Sequence, residues 1–376
     1  MFNHDDNFQY DYAPILSLSP SEMMALEQLP GKDKDNILPV IPLKGWASSQ
    51  QLENSLLRIE KSIDDRKWVA SIDKDYLLNN KTFLFTGKYP REVFYQLKEL
   101  LQPTNGYDNW YKFLVKTIHA IPVVNLEESS ALELQIKKLY SLDRGIVFIF
   151  DLKNMTLSYY HDVIHQISKM GIQDLLFIYD IGTINGDYNN YYQPILNLIN
   201  KTKEKIPFVR VAISGTSFPF NFAGYHRGEN PIFERLLFNK LKQNITSYPT
   251  IYSDRGSARI EKQSGGGNLP PPRIDYALKN DWRFIRHEFY DPKSPGEGEK
   301  EELYSLCAKE IMEQEYWSEN LHLWGTQMIE LTSKGDKFGI NSAQKATAVR
   351  INLHLYTQLH YNDELESIDT DEEWED

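Results

Sequence analysis

The sequence predicts an α/β protein built on a (β/α)8, TIM-barrel-like parallel barrel, and three observations lead there. Short apolar runs alternate with polar, helix-length segments, which is the pattern of repeated β-α-β units. Three of those runs, Ile146-Val147-Phe148-Ile149-Phe150, Leu175-Leu176-Phe177-Ile178-Tyr179 and Val209-Arg210-Val211-Ala212-Ile213, are apolar at nearly every position, as strands covered on both faces must be. The chain of 376 residues is long enough for one large barrel, with seven strand-to-helix steps leading to an eighth strand.

In chain order, strands are expected over residues 13–17, 37–43, 68–73, 120–125, 146–151, 175–180, 208–214, 250–253 and 282–288. A barrel of this type takes eight, so residues 282–288 are placed outside it. Ser19-Pro20-Ser21-Glu22 supplies a helix start: a capping hydroxyl, a proline at the first helical position and an early acid. Apolar spacing of three and four marks helices over 132–140, 159–170, 192–199 and 233–241, with Gly171 positioned as a C-terminal cap. Residues 255–279 contain Gly265-Gly266-Gly267 and Pro270-Pro271-Pro272, a loop composition expected to pass over the rim that carries Asp73, Asp151 and Asp180. Helical patterns over 301–315 and 343–360 complete a C-terminal cap. The expected domain covers residues 10–362, between a short N-terminal tail at 1–9 and an acidic tail at 363–376.

Composition narrows the function classes. Hydrophobic residues at 41%, charged residues at 25% and aromatics at 13% describe a chain that folds. A net charge of -12 argues against extended nucleic-acid binding, which draws on clustered Lys and Arg. Cys307 is the single cysteine and has no intramolecular partner, and no Cys/His group shows zinc-ligand spacing. The start Met1-Phe2-Asn3-His4-Asp5-Asp6 lacks a basic region followed by an apolar one, and no apolar run approaches the roughly 20 residues that span a bilayer. A cytoplasmic location without membrane association is expected.

Barrel enzymes carry their chemistry at the C-terminal ends of the strands. Lys44, Asp73, Glu127, Asp151, Asp180, Ser214, Ser217 and Asp254 fall at or just after predicted strand ends. Carboxylates converging on one mouth repel unless a cation, a proton or an arginine compensates, so a divalent-cation site or an acid/base pair is one reading. Helix capping is the other, because Asp and Ser commonly begin the helix after a strand. Ser214-Gly215-Thr216-Ser217 could hold an anion on its backbone N–H groups or form a plain turn, and it lacks the lysine and glycine spacing of a P-loop. No Gly-x-Ser-x-Gly elbow and no His-Glu-x-x-His helix occurs. Tyr252-Ser253-Asp254-Arg255-Gly256, and Tyr276 with Trp282, Arg283 and Arg286, place arginines near acids, and Asp254 and Arg286 are expected to approach each other. His161 and His165, four apart on a predicted helix, are expected to face solvent.

The order of short motifs resembles the Beta protein family of satellite phages and bacterial mobile elements. It runs through Tyr12-Ala13-Pro14-Ile15-Leu16, Glu22, Ala25-Leu26 and Ile37-Leu38-Pro39-Val40-Ile41, then residues 214–219, Glu234, Tyr252-Ser253-Asp254-Arg255-Gly256, Tyr276, Trp282, Arg286 and His354. The family pattern has a lysine after the first strand, an acid ending the second and an arginine two residues before the helix glutamate. This chain has Ser17 or Ser19, Leu43 and Ile232 at about those places. The resemblance implies a setting in phage-host conflict, as the protective partner of a toxic exclusion protein, and implies no particular reaction.

With that resemblance, the candidates for chemistry are Asp73, Asp151, Asp180, Asp254 and Arg286, and those for ligand binding are Lys44, Ser214, Ser217, Glu234, Tyr252 and His354. The expected role is a component of anti-phage defence or toxin-antitoxin-like exclusion immunity that binds a protein partner, either a defence or toxin component or a phage factor, or a small ligand. The alternative is a barrel hydrolase or phosphodiesterase using rim carboxylates and a divalent cation. Sugar chemistry on paired carboxylates rests on fold analogy alone.

Overall fold

The computed structural model describes residues 2, 8–222, 224–245, 249–260 and 269–363. Gly265-Gly266-Gly267 and the acidic stretch 369–376 lie outside them. The chain divides into two compact units, the first made of Met1–Ser19, Asp35–Gly215 and Glu234–Arg255, the second of Pro20–Lys34, Thr216–Phe233 and Gly256–Asp376.

Among the described residues the strands are β1 (Val40–Leu43), β2 (Trp68–Ile72), β3 (Ala120–Pro122), β4 (Ile146–Asp151), β5 (Leu175–Thr183), β6 (Arg210–Thr216), β7 (Arg227–Pro231), β8 (Thr250–Tyr252), β9 (Arg273–Ala277) and β10 (Asp281–Arg286). The first unit holds two parallel sheets, β1-β2-β3 and β4-β5-β6-β8. Registers such as Val40↔Val69, Val69↔Ile121 and Ile146↔Leu175 keep the strand starts level, so the strand ends, where the candidate acids sit, are level too. Ile15, Val40, Val69, Val147, Ile178 and Ile251 belong to one apolar cluster fed by both sheets. The helices Thr104–Lys116 and Leu132–Tyr140 pack on β3 and β4, respectively. Leu132–Tyr140 and Leu157–Met170 fall where the apolar spacing puts them, and Gly171 ends the latter at φ 65.

The eight-stranded barrel expected from the sequence is not formed. The parallel strands gather in separate sheets of three and four, and these are not closed into one. Residues 13–17 form no strand; Tyr12 and Ile15 make isolated bridges instead, Tyr12↔Ile37 and Ile15↔Val40 on one side and Tyr12↔Tyr252 on the other, while Val123↔Val147 bridges the far edges. Proline explains much of this. Pro14, Pro39 and Pro122 stand in the pairing segments and have no N–H to give, so ladders there shrink to single bridges.

The second unit contains the antiparallel sheet β7-β10-β9. Residues 282–288 contribute β10 to it, paired as Trp282↔Ala277 with β9 and Trp282↔Asn230 with β7. Neither β7, whose Arg-Gly-Glu-Asn-Pro has no apolar alternation, nor β9, which lies inside the stretch expected as loop, was expected from the sequence. The helix Ala343–Leu359 packs on β9, on Pro20–Glu27 and on Trp324–Ser333. Asn352 on it is held at both ends of its amide: Nδ2 donates to Ala25 O at 3.0 Å, and Oδ1 accepts from Gly325 N at 3.0 Å. Gly325 is required there, since a Cβ would lie 2.7 Å from Leu353 Cγ. Among the described residues no helix is long and apolar enough to cross a membrane.

The shared cluster sets a stability expectation. Ile178→Ala, at a fully buried position, should cost about 2–5 kcal/mol in urea unfolding, whereas Leu134→Ala, at a position 42% exposed, should stay within about 0.5 kcal/mol. Equal effects would show that the two sheets do not share a core.

Candidate functional site

The densest polar arrangement of the first unit lies where β8 ends. Asp254, fully buried, accepts a hydrogen bond from the Tyr12 hydroxyl at 2.5 Å. Its backbone O accepts from Ile15 N at 2.8 Å, and Ser253 Oγ donates to Ala13 O at 2.6 Å. Tyr12 and Tyr252 stack with centroids 5.4 Å apart, and the Arg235 guanidinium lies 3.3 Å from the centre of the Tyr252 ring. Burial pushes both phenols well above the ordinary tyrosine range, and the Asp254 carboxylate pushes them further, against the pull of Arg235. Both phenols therefore stay neutral, and that of Tyr12 donates to Asp254. Glu234 and Arg235, both buried, enter from the first turn of the helix Phe233–Lys242.

The other strand-end acids and Lys44 have structural partners. Asp73 caps the helix Lys74–Leu78 by accepting from Tyr76 N at 2.9 Å, and Lys44 lies 3.9 Å from it while also bonding Ser17 Oγ. Glu127, exposed, pairs with Lys74. Asp151 closes a turn, accepting from Lys153 N at 3.0 Å and from Asn154 N at 3.2 Å. Asp180 accepts from Gly182 N at 3.0 Å and pairs with Arg255. The register Ile213↔Tyr252 sets Ser214 beside Ser253, and its buried hydroxyl has no hydrogen-bond partner among the described residues.

The remaining candidates belong to the second unit. Ser217 Oγ accepts from Phe233 N at 3.0 Å and donates to Pro231 O at 3.2 Å, so it serves a helix start. Arg286 pairs with Glu288 at 2.5 Å and donates to Phe222 O at 3.2 Å. Asp254 and Arg286, expected to approach each other, fall in different units, each with partners of its own. His354, fully buried, accepts from Trp282 Nε1 at 3.1 Å.

Tyr12 and Arg235 were not among the candidates, although they complete the Asp254 arrangement. Tyr12 lies within the first quoted motif, and Arg235 follows Glu234 directly, so adjacency to motif residues was the available signal. No pattern in the sequence joins them, because residues 12, 235 and 254 meet only through folding.

A family comparison matches residues 12–360 to the Beta protein family, running from the tyrosine that holds Asp254 to the end of the last described helix. The chain belongs to the Beta protein family. It is also 28% identical over 371 residues to Protein beta of Enterobacteria phage P4, a correspondence that covers 97% of each chain. The family match thus takes in both units and every candidate residue above.

Tyr12→Phe isolates the Asp254 bond. It removes a donor from a buried carboxylate and should cost about 1–3 kcal/mol near neutral pH. The raised phenols also fix a pH dependence. The unfolded chain loses its phenolic protons from about pH 10, while the folded chain keeps those on Tyr12 and Tyr252, so folding stability falls as pH rises past that point. Urea unfolding across that range should show a shallower fall in Tyr12→Phe than in the unaltered chain.

Proposed function

We propose that this chain works in phage-host conflict, as a component of anti-phage defence or exclusion immunity, and that it acts by binding a protein partner. The observation that carries this reading is an apolar patch on two consecutive short helices, Lys74–Leu78 and Lys81–Thr86, where Leu78 is 65%, Leu84 68% and Phe85 92% exposed. Apolar side chains so far out of the core are characteristic of interaction surfaces.

The support beneath the patch is stiff. Asn80 Oδ1 accepts from Phe83 N at 3.0 Å, and Gly87 at φ 72 closes the second helix. Phe83, Tyr89, Phe94 and Tyr76 form a ladder of stacked rings at centroid spacings of 4.2, 5.2 and 4.4 Å. Arg91 donates to the Tyr76 hydroxyl at 2.6 Å. A pre-ordered support lowers the entropic cost of docking. The correspondence with a phage protein over nearly the whole chain supports the setting.

In this reading Lys44, Asp73, Asp151, Asp180, Asp254 and Arg286 are positioning residues. Glu234 and Tyr252 order the interior of the first unit, and Ser217 and His354 that of the second. The strand-end acids, spent on caps, turns and ion pairs, give the hydrolase reading no specific support. A protein partner with an apolar contact face fits best, either a defence or toxin component or a phage factor.

A tagged chain recovered from infected and uninfected cells should bring down one defined partner, and Leu84→Glu with Phe85→Glu should abolish both capture and protection against phage. Unfolding free energy should move by no more than about 0.5 kcal/mol, as at exposed sites. Recovery of the chain alone from both cultures, or full capture by the variant, would contradict the reading.

A further inference from the structure

The second unit holds a group of side chains that the proposed function does not use. His226 precedes β7, His287 follows β10, and Glu310 lies on the helix Glu299–Met312. Their candidate ligand atoms all lie within 4.8 Å of one another. Glu310 Oε2 is 2.9 Å from His226 Nε2, and its Oε1 is 2.6 Å from His287 Nε2. The two imidazoles meet edge to face with centroids 4.5 Å apart.

The hydrogen bonding of His226 points to a cation. Its Nδ1 lies 2.9 Å from Arg286 O, a carbonyl that can only accept, so Nδ1 carries a proton. Its Nε2 faces a carboxylate oxygen, also an acceptor. A neutral imidazole cannot satisfy both contacts. Either the ring is an imidazolium, or Nε2 turns its lone pair to a metal ion shared with the carboxylate. An Nδ1–H···O=C contact of this kind commonly fixes the tautomer of a metal-binding histidine and leaves Nε2 to the ion. The backbone holds the same arrangement, since Arg286 N donates to His226 O at 2.7 Å and His287 N to Pro272 O at 3.0 Å.

We propose that His226, His287 and Glu310 bind one divalent transition-metal ion of the zinc class. Two imidazoles and a carboxylate are a ligand set such ions take, with a water in the fourth position. Metal–ligand bonds of about 2.0–2.1 Å place tetrahedral ligands about 3.3 Å apart, so the carboxylate–imidazole contacts of 2.9 and 2.6 Å must open, within a group whose ligand atoms already lie within 4.8 Å of one another. The His226 side chain is 49% exposed, which gives the ion a path from solvent and leaves room for the water. Three ligands from three segments would also tie the antiparallel pair β7 and β10 to the helix, so binding stabilises this unit.

The test uses the full chain, stripped with a chelator and titrated with Co2+ and then Zn2+. The expected result is one equivalent bound, the visible d–d absorption of four-coordinate cobalt, its loss on zinc addition, and a higher melting temperature with either ion. Glu310→Gln and His287→Gln should weaken binding by about 10-fold or more, while His161→Gln should not change it. X-ray absorption on the unaltered zinc-loaded chain, which needs no variant to fold, should report two imidazoles and oxygen ligands. Absence of saturable binding would overturn the proposal and leave a proton-held histidine pair. Binding that survives both substitutions, or a ligand shell without imidazole, would also overturn it.

Discussion

The first unit depends on how residues 11–17 are held between β1 and β8. Leu38 N and Val40 N donate to Tyr12 O and Pro14 O on one side, at 2.9 and 2.8 Å. On the other, Ala13 N and Ile15 N donate to Tyr252 O and Asp254 O, both at 2.8 Å. Without this segment both strands would present unpaired edges. The backbone contacts are sparse because proline interrupts them, so side chains carry the rest. Tyr12 reaches Asp254, and Ser253 reaches Ala13 O. Parts of the chain some 240 residues apart are thereby joined.

Each unit also contains buried charge, and in each the charge is compensated. Asp254 is served by Tyr12 in the electrostatic reach of Arg235, and Asp180 by Arg255. In the second unit Arg350 lies 3.2 Å from Asp275, donates to Ser257 Oγ at 3.2 Å and sits 3.9 Å from the centre of the Phe218 ring. Burial pushes this guanidinium down to about 10, against the attraction of Asp275. Removing one member of such a group leaves the other charge uncompensated in a poorly solvating interior, which is why buried pairs are sensitive to single substitutions.

Strands β4 and β5 were legible because both faces are buried, and their apolar runs say so. The helices Leu132–Tyr140 and Ala343–Leu359 were legible from apolar spacing and, for Leu157–Met170, from the capping glycine. The closed barrel was misread because the alternation of elements does not reveal where prolines break a ladder. β7 escaped because an exposed strand needs no apolar pattern, and β9 because its apolar residues sit behind a run of prolines. Among the candidate residues, the capping alternative describes Asp73 and a turn describes Asp151. Asp254 was expected to approach Arg286, and within its own unit it is held by Tyr12. His226, His287 and Glu310 lacked any ligand spacing in the sequence, since each comes from a different element.

The most direct measurement of this account is a double-mutant cycle on Tyr12 and Asp254, using Tyr12→Phe, Asp254→Asn and the pair, read by urea unfolding near neutral pH. A bond that holds the N-terminal segment to the end of β8 predicts a coupling of about 1–3 kcal/mol between the two positions. Effects that simply add, within about 0.5 kcal/mol, would show that the contact does not hold the segment and would contradict the account.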